Sequence, residues 1–219
     1  MNQSLLSLIV LAGIAIFLVV RLRNVLGTRE GFEKPPVSGA ASETSTPARF
    51  EVIENEPDRD IVDNVEAGTQ VAQTLTAMKL VEPSFSVNEF LRGARGAYEM
   101  ILMAFERGDM DSVKPFLSED VFEAFSGVVD DRKAKGLRVE AEFVGLRELQ
   151  IIDAELHRDS QEGEIKVRFV GEITYAVYDN AGTLVDGSVQ DIKRQKDIWT
   201  FARAMGKDDP NWQLVATGA

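Results

Sequence analysis

SEDVFEAFSGVVDDRKAKGLRVEAEF, residues Ser118–Phe143, contains the change of rhythm that decides the fold. Val121, Phe122, Phe125, Val128 and Val129 recur at three- and four-residue steps behind Ser118, a hydroxyl suited to capping a helix. Lys133 and Lys135 suit the negative end of the helix dipole, and Gly136 ends the run. From Leu137 the apolar positions alternate instead, which is the period of a strand with one buried face.

Upstream, the rhythm stays helical. Ser86-Val87-Asn88-Glu89 reads as a capping box, followed by one broad apolar face of Phe90, Leu91, Ala94, Ala97, Tyr98, Ile101, Leu102 and Phe105, with Gly108 at the expected C-terminal stop. Gly93 and Gly96 each cost ~1 kcal/mol relative to Ala inside such a helix, so close packing is expected to require them. Asp111 is a candidate cap for a short helix over 112–117, with Pro115 expected in its first turn. Three helices therefore precede any strand.

Downstream, LQIIDAEL, EIKVRFVGEITYAVYD and, after the turn Asn180–Thr183, LVDGSVQDIKRQ keep the period of two. Trp199 and Phe201, then Trp212, Leu214 and Val215, suggest a last strand pair separated by the polar turn GKDDPN. Helices first and a curved antiparallel meander afterwards is an α+β pattern, three or more helices packed on one face of the sheet as a cone with an open end.

The N-terminus is a different material. Ser4–Val20 offers 17 positions without a charge, at the short limit of a spanning helix, and Arg21 and Arg23 can extend it by snorkelling. No basic n-region or small-x-small cleavage site accompanies it, so residues 1–27 are expected to form an uncleaved transmembrane anchor. Arg21, Arg23, Arg29 and Lys34 all follow the apolar run, which is expected to orient the bulk of the chain toward the cytoplasm as a single-pass protein. Residues 28–60 hold four of the seven prolines and the run SGAASETSTPA, a composition that reads as a disordered acidic linker. An amphipathic helix is expected over 61–81, with Asp60 as its N-cap and Pro83 beyond its end; Gly68 and Thr69 interrupt its pattern.

Charge and composition exclude several functions. With 24 basic against 36 acidic residues, net −12, the chain lacks the basic excess that phosphate neutralisation needs, and no nucleic-acid partner is expected. Zero cysteines and the single His157 leave no thiolate chemistry and no multi-histidine metal site; no metal or cofactor is expected.

The order of anchor, acidic tether, EPSF at Glu82–Phe85, FLRGARGAYEMILMAFERGDMDSVKPFLSEDVFEAF at Phe90–Phe125, WTFAR and NWQLVA resembles the alphaproteobacterial TimA adaptor family. That family is related to the matrix-side subunit that tethers the import motor to the mitochondrial inner-membrane translocase. The resemblance implies a Tim44-like domain over 82–219, a nuclear-transport-factor-two-like cone, a large apolar pocket, no known catalytic residues, and an adaptor role with a protein partner in translocation or membrane-complex assembly. One departure matters: the mitochondrial relatives carry basic amphipathic helices for acidic lipids, whereas the corresponding segment here is acidic, so membrane attachment falls to residues 4–20.

No G-x-G-x-x-G, P-loop, G-x-S-x-G or H-E-x-x-H is present. An enzyme or small-molecule carrier would have to use Tyr98, Tyr175, Tyr178, Asp153, Asp191 or His157. Tyr175 and Tyr178 have opposite strand parity and cannot both face inward without a bulge, and His157 adjoins the turn-like HRDSQEG. A pocket carrying a buried Asp or His beside a Tyr hydroxyl would favour that class. The candidate pocket lining is Phe90, Tyr98, Phe105, Phe122, Phe125, Phe143, Phe169 and Trp199, which would suit a lipid or other apolar ligand. A ribosome tether is a further alternative, though 17 basic against 25 acidic residues from Pro83 onward disfavour direct RNA contact.

Overall fold

A computed structural model describes residues 58–218; the expected anchor, most of the expected linker and the basic residues that set the expected orientation lie outside the described residues. In chain order the elements are α1 (Arg59–Val62), α2 (Gln70–Val81), α3 (Val87–Arg107), a 3-10 helix (Asp111–Phe116), α4 (Glu119–Ala134), β1 (Arg138–His157), β2 (Glu162–Tyr178), β3 (Leu184–Ala204) and β4 (Gln213–Gly218). The switch at Gly136 falls where the sequence places it: Ser118 Oγ accepts from Val121 N at 3.4 Å, and Gly136 takes φ +66°.

The sheet is an antiparallel meander in the order β1-β2-β3-β4. Segments that read as separate strands join into long ones, because bulges rather than turns absorb the irregularities. β1 runs unbroken through register shifts at Phe143/Gly145, Leu146/Glu148 and Ile151/Asp153, and such bulges bend a sheet and increase its twist. The inner face of β2, with Ile165, Val167 and Phe169 fully buried, is the floor of the core. Tyr98 and Ile101 of α3 and Leu75 and Met78 of α2 are buried in the same cluster. This is an α+β fold with a curved sheet.

Four local expectations need correction. The helical pattern over 61–81 is two helices, because Gly68 takes φ +77° and Thr69 Oγ1 accepts from Ala72 N at 3.3 Å, starting α2 afresh. Asp60 does not cap that segment; Asp58 caps α1. The capping box at Ser86 is half formed: Ser86 Oγ accepts from Glu89 N at 3.3 Å, but the Glu89 carboxylate turns to Arg92 at 3.1 Å. Gly93 and Gly96 are not close-packed, since a Cβ at either position meets nothing within 4 Å. In addition, the short helix expected over 112–117 is a 3-10 helix over Asp111–Phe116 with Met110 at its N-cap and Pro115 near its end, where Pro is tolerated because so short a helix forfeits little when one donor is missing.

Candidate functional site

The motif segments that stand far apart in sequence meet in space. Glu82 of EPSF accepts from Arg203 Nη2 of WTFAR at 2.7 Å and from Gly206 N at 2.9 Å; both side chains are largely buried. The Arg203 guanidinium lies over the Trp212 ring at 5.0 Å, and Trp212 packs on Phe85 at 5.9 Å and on Phe90 at 4.8 Å. Arg203 also donates to Pro210 O at 3.1 Å, fixing the turn before β4. A charge-assisted pair stacked on an aromatic face thereby locks α3 against the end of the sheet.

A match to the Tim44-like domain extends over residues 71–219. The chain belongs to the Tim44-like domain family. Over 164 residues the Tim44-like chain is 20% identical to the mitochondrial import inner membrane translocase subunit TIM44 of Homo sapiens, covering 73% of this chain and 36% of that protein. Over 152 residues it is 22% identical to the subunit TIM44-1 of Arabidopsis thaliana, covering 67% of this chain and 32% of the relative. The chain thus spans about a third of the length of the curated relatives it matches. The intermembrane space region of chloroplast protein ARC6 aligns structurally with a TM-score of 0.39 and 12% identity, covering 58% of this chain and 93% of that one.

Within the Tim44-like domain the eight candidate pocket residues separate into distinct groups. Tyr98 stacks on Phe169 at 4.4 Å with planes 5° apart, touches Trp199 at 4.8 Å, and has Phe143 at 6.1 Å. Phe90 joins this seam through Phe201 at 6.0 Å. Phe105 and Phe125 pair at 5.1 Å on the other flank of α3, where Arg132 lies over Phe105 at 4.5 Å and meets Glu106 at 3.0 Å. Phe122, under Lys114, lines a groove of about 310 Å³ beside Gly108–Asp111 and α4. A second groove, about 540 Å³, runs between Val62–Val71 and Gln150–Ile152 and contains none of the eight.

The seam contains one polar cluster. Tyr98, fully buried, donates to Asp197 Oδ2 at 2.6 Å, and Gln195 Nε2 reaches the same oxygen at 2.9 Å and the Tyr hydroxyl at 3.3 Å. Desolvation, then the hydrogen bond and charge of Asp197, push the Tyr98 phenol well above its ordinary range. Gly171 contacts the hydroxyl so closely that a Cβ there would lie 2.7 Å from it. A Tyr beside an Asp is what the enzyme reading required, yet neither groove is lined by either residue. The arrangement acts as a clasp between α3 and β3. Asp197 was missed in the sequence although it shares strand parity with Trp199 and Phe201, which assigns it to the inner face.

The other candidates are dispersed. Tyr175 bonds Asp186 at 3.1 Å, Arg138 covers the Tyr178 ring at 4.8 Å, and the register shift between them falls at Val177/Tyr178, where the extra residue is on β3. Asp153 pairs with Lys166 at 3.2 Å, His157 Nε2 is 3.6 Å from Glu164, and Asp191 is exposed.

A second polar centre lies at the beginning of the described chain. Asp60, carried on α1, accepts from Val87 N at 2.7 Å, Asn88 N at 2.9 Å and the Ser86 hydroxyl at 3.0 Å, so it caps α3 from outside. Lys79 of α2 completes the cluster, 2.7 Å from both Asp58 and Asp60. Burial opposes ionisation of Asp60, but Lys79 and the α3 amides outweigh it and hold its carboxyl far below the usual carboxylate range. Residues 58–62 are therefore locked to α2 and α3.

Proposed function

We infer that this Tim44-like chain is a membrane-anchored, non-enzymatic adaptor that binds a protein partner at the inner membrane, in protein translocation or membrane-complex assembly. The observation that carries the reading is the family match over 71–219, supported by relatives named as subunits of an inner-membrane import translocase. Residues 4–20 act as the membrane span and the acidic proline-rich stretch after them as a spacer, leaving the C-terminal domain on the cytoplasmic side. Among the described residues no helix is long and apolar enough to cross a membrane, so in this reading attachment rests on the N-terminal segment. The domain is a nuclear-transport-factor-two-like cone whose aromatic interior, from Phe90 to Trp199, serves mainly to hold the sheet and α3 together. Anchoring raises the effective concentration of the domain at the bilayer without new contacts.

The test is chemical cross-linking in intact membranes with the full-length chain, followed by stringent affinity capture. A reproducible, stoichiometric protein partner belonging to a membrane complex is expected. Recovery of lipids or metabolites alone, with no protein above an unrelated anchored control, would overturn the adaptor reading.

A further inference from the structure

The sheet has an uncovered edge. β4 pairs with β3 only from Ile198 to Ala202, with Gly218 opposite Ile198. Among the described residues nothing pairs with the outer side of β3 from 184 to 197. Four of the eight large exposed apolar side chains among the described residues lie on this stretch: Leu184, Val185, Val189 at 51% and Ile192 at 58% exposure. Unpaired main-chain groups beside exposed aliphatic side chains form a template for strand addition.

The register makes part of this edge usable. Between Ile173↔Lys193 and Tyr175↔Ser188, β2 advances two residues while β3 advances five, so Val189–Ile192 bulge away from the ladder. Residues 193–197 below the bulge stay regular and are continuous with the part of β3 that β4 covers. The free lane in line with β4 is therefore five residues, about 16 Å at ~3.3 Å per residue.

Its charge selects the occupant. The lane carries Lys193, Arg194 and Lys196 in a domain that is otherwise acidic. Its one carboxylate, Asp197, is engaged by Tyr98 and Gln195. Arg194 shares Glu172 with Arg147, at 3.1 and 2.8 Å, and Lys193 lies over the Tyr175 ring at 4.5 Å. Lys196 has no carboxylate within 4 Å among the described residues. Antiparallel pairing of this lane with its own copy would set Arg194 against itself or against Lys196, and like charges directly opposite are destabilising.

We propose that β3 over residues 193–197 accepts an extended segment of a protein partner that alternates acidic with apolar residues, added as a strand in line with β4. Acidic side chains on one face of the added strand meet Arg194 and Lys196, and its apolar side chains fall on the opposite face, alongside the stems of Lys193 and Gln195. The proposal rests on the adaptor reading and names the partner's chemistry.

The experiment uses the full-length protein in detergent micelles and a fluorescein-labelled heptapeptide alternating Glu and Val, read by fluorescence anisotropy. Saturable binding is expected. It should weaken about tenfold in the triple variant Lys193→Glu, Arg194→Glu, Lys196→Glu, the sum of the two exposed ion pairs at Arg194 and Lys196 toward the upper end of their usual strength. It should also be lost for the same peptide N-methylated at alternate residues, which keeps the charges and removes the main-chain donors; this arm uses the unaltered protein. No binding, equal binding of the methylated peptide, or equal binding of a Lys-for-Glu peptide would overturn the assignment. A change only in sedimentation of the triple variant would assign the edge to a second copy and also overturn it. If the triple variant still captures the membrane partner in full yield, the adaptor reading stands and the edge assignment falls.

Discussion

Replacing Asp60 with Ala removes the acceptor that holds the start of α3 and half of what neutralises Lys79. Five interactions end: those from Val87 N, Asn88 N, Asn88 Nδ2, the Ser86 hydroxyl and Lys79. A lost N-cap costs up to about 2 kcal/mol, and a charge-assisted, partly buried contact adds about 1 kcal/mol, so the expected loss is about 2–3 kcal/mol. For a domain of this size that corresponds to a fall of roughly 5–10 °C in Tm. Asp58→Ala, which removes the cap of the one-turn α1 and the other Lys79 contact with Asp60 still in place, should cost about 1 kcal/mol. Because the folded-state pKa of Asp60 is depressed, its contribution is present above the unfolded carboxyl pKa of about 3.9 and is lost progressively as pH falls below it. Thermal melts followed by Trp199 and Trp212 fluorescence should thus show a gap between wild type and Asp60→Asn at pH 7 that narrows by pH 3. A gap that stays constant with pH, or an Asp60→Ala variant that melts within about 1 °C of wild type, would refute the assignment of Asp60 as the cap of α3.

Tyr98→Phe keeps the stack on Phe169 but leaves Asp197 with Gln195 alone; equilibrium denaturation should show a loss of about 1–2 kcal/mol, against about 3–5 for Tyr98→Ala. Since the Tyr98 pKa is raised in the folded state, its stabilisation is full below about pH 10 and lost above, so the alkaline unfolding of wild type should be steeper than that of Tyr98→Phe by absorbance at 295 nm. Gly96→Ala should stabilise by about 0.5–1 kcal/mol in the same melts, because its Cβ enters open space. Gly187→Ala should instead destabilise by about 2 kcal/mol or more, because φ is +76° and the new Cβ would lie 2.3 Å from the Tyr175 carbonyl oxygen.

What the sequence reveals and what it hides divide along local and non-local physics. The switch at Gly136, the Ser118 cap and the Gly108 stop are set by a few adjacent residues, and they stand as read. The α+β class follows from the same two periods. Asp60 could not be found that way, because its role is to cap a helix that begins 27 residues later. The length of β1 was hidden for a related reason: an extra residue at each bulge breaks the alternation on which strand reading relies, although the ladder continues past it. The pocket expectation treated aromatic residues as one lining. Packing instead divides them between the two flanks of α3 and a separate position at Phe122, a distribution that depends on which face of α3 meets the sheet.

The central claim is that a membrane mooring and a Tim44-like domain act together to hold a protein partner. The most direct measurement is the yield of the cross-linked partner from cells expressing three chains: full-length, one lacking residues 4–20, and one with those residues replaced by an unrelated single span. The account predicts loss of capture on deletion and recovery with the unrelated span. Undiminished capture by the chain without residues 4–20 would contradict it.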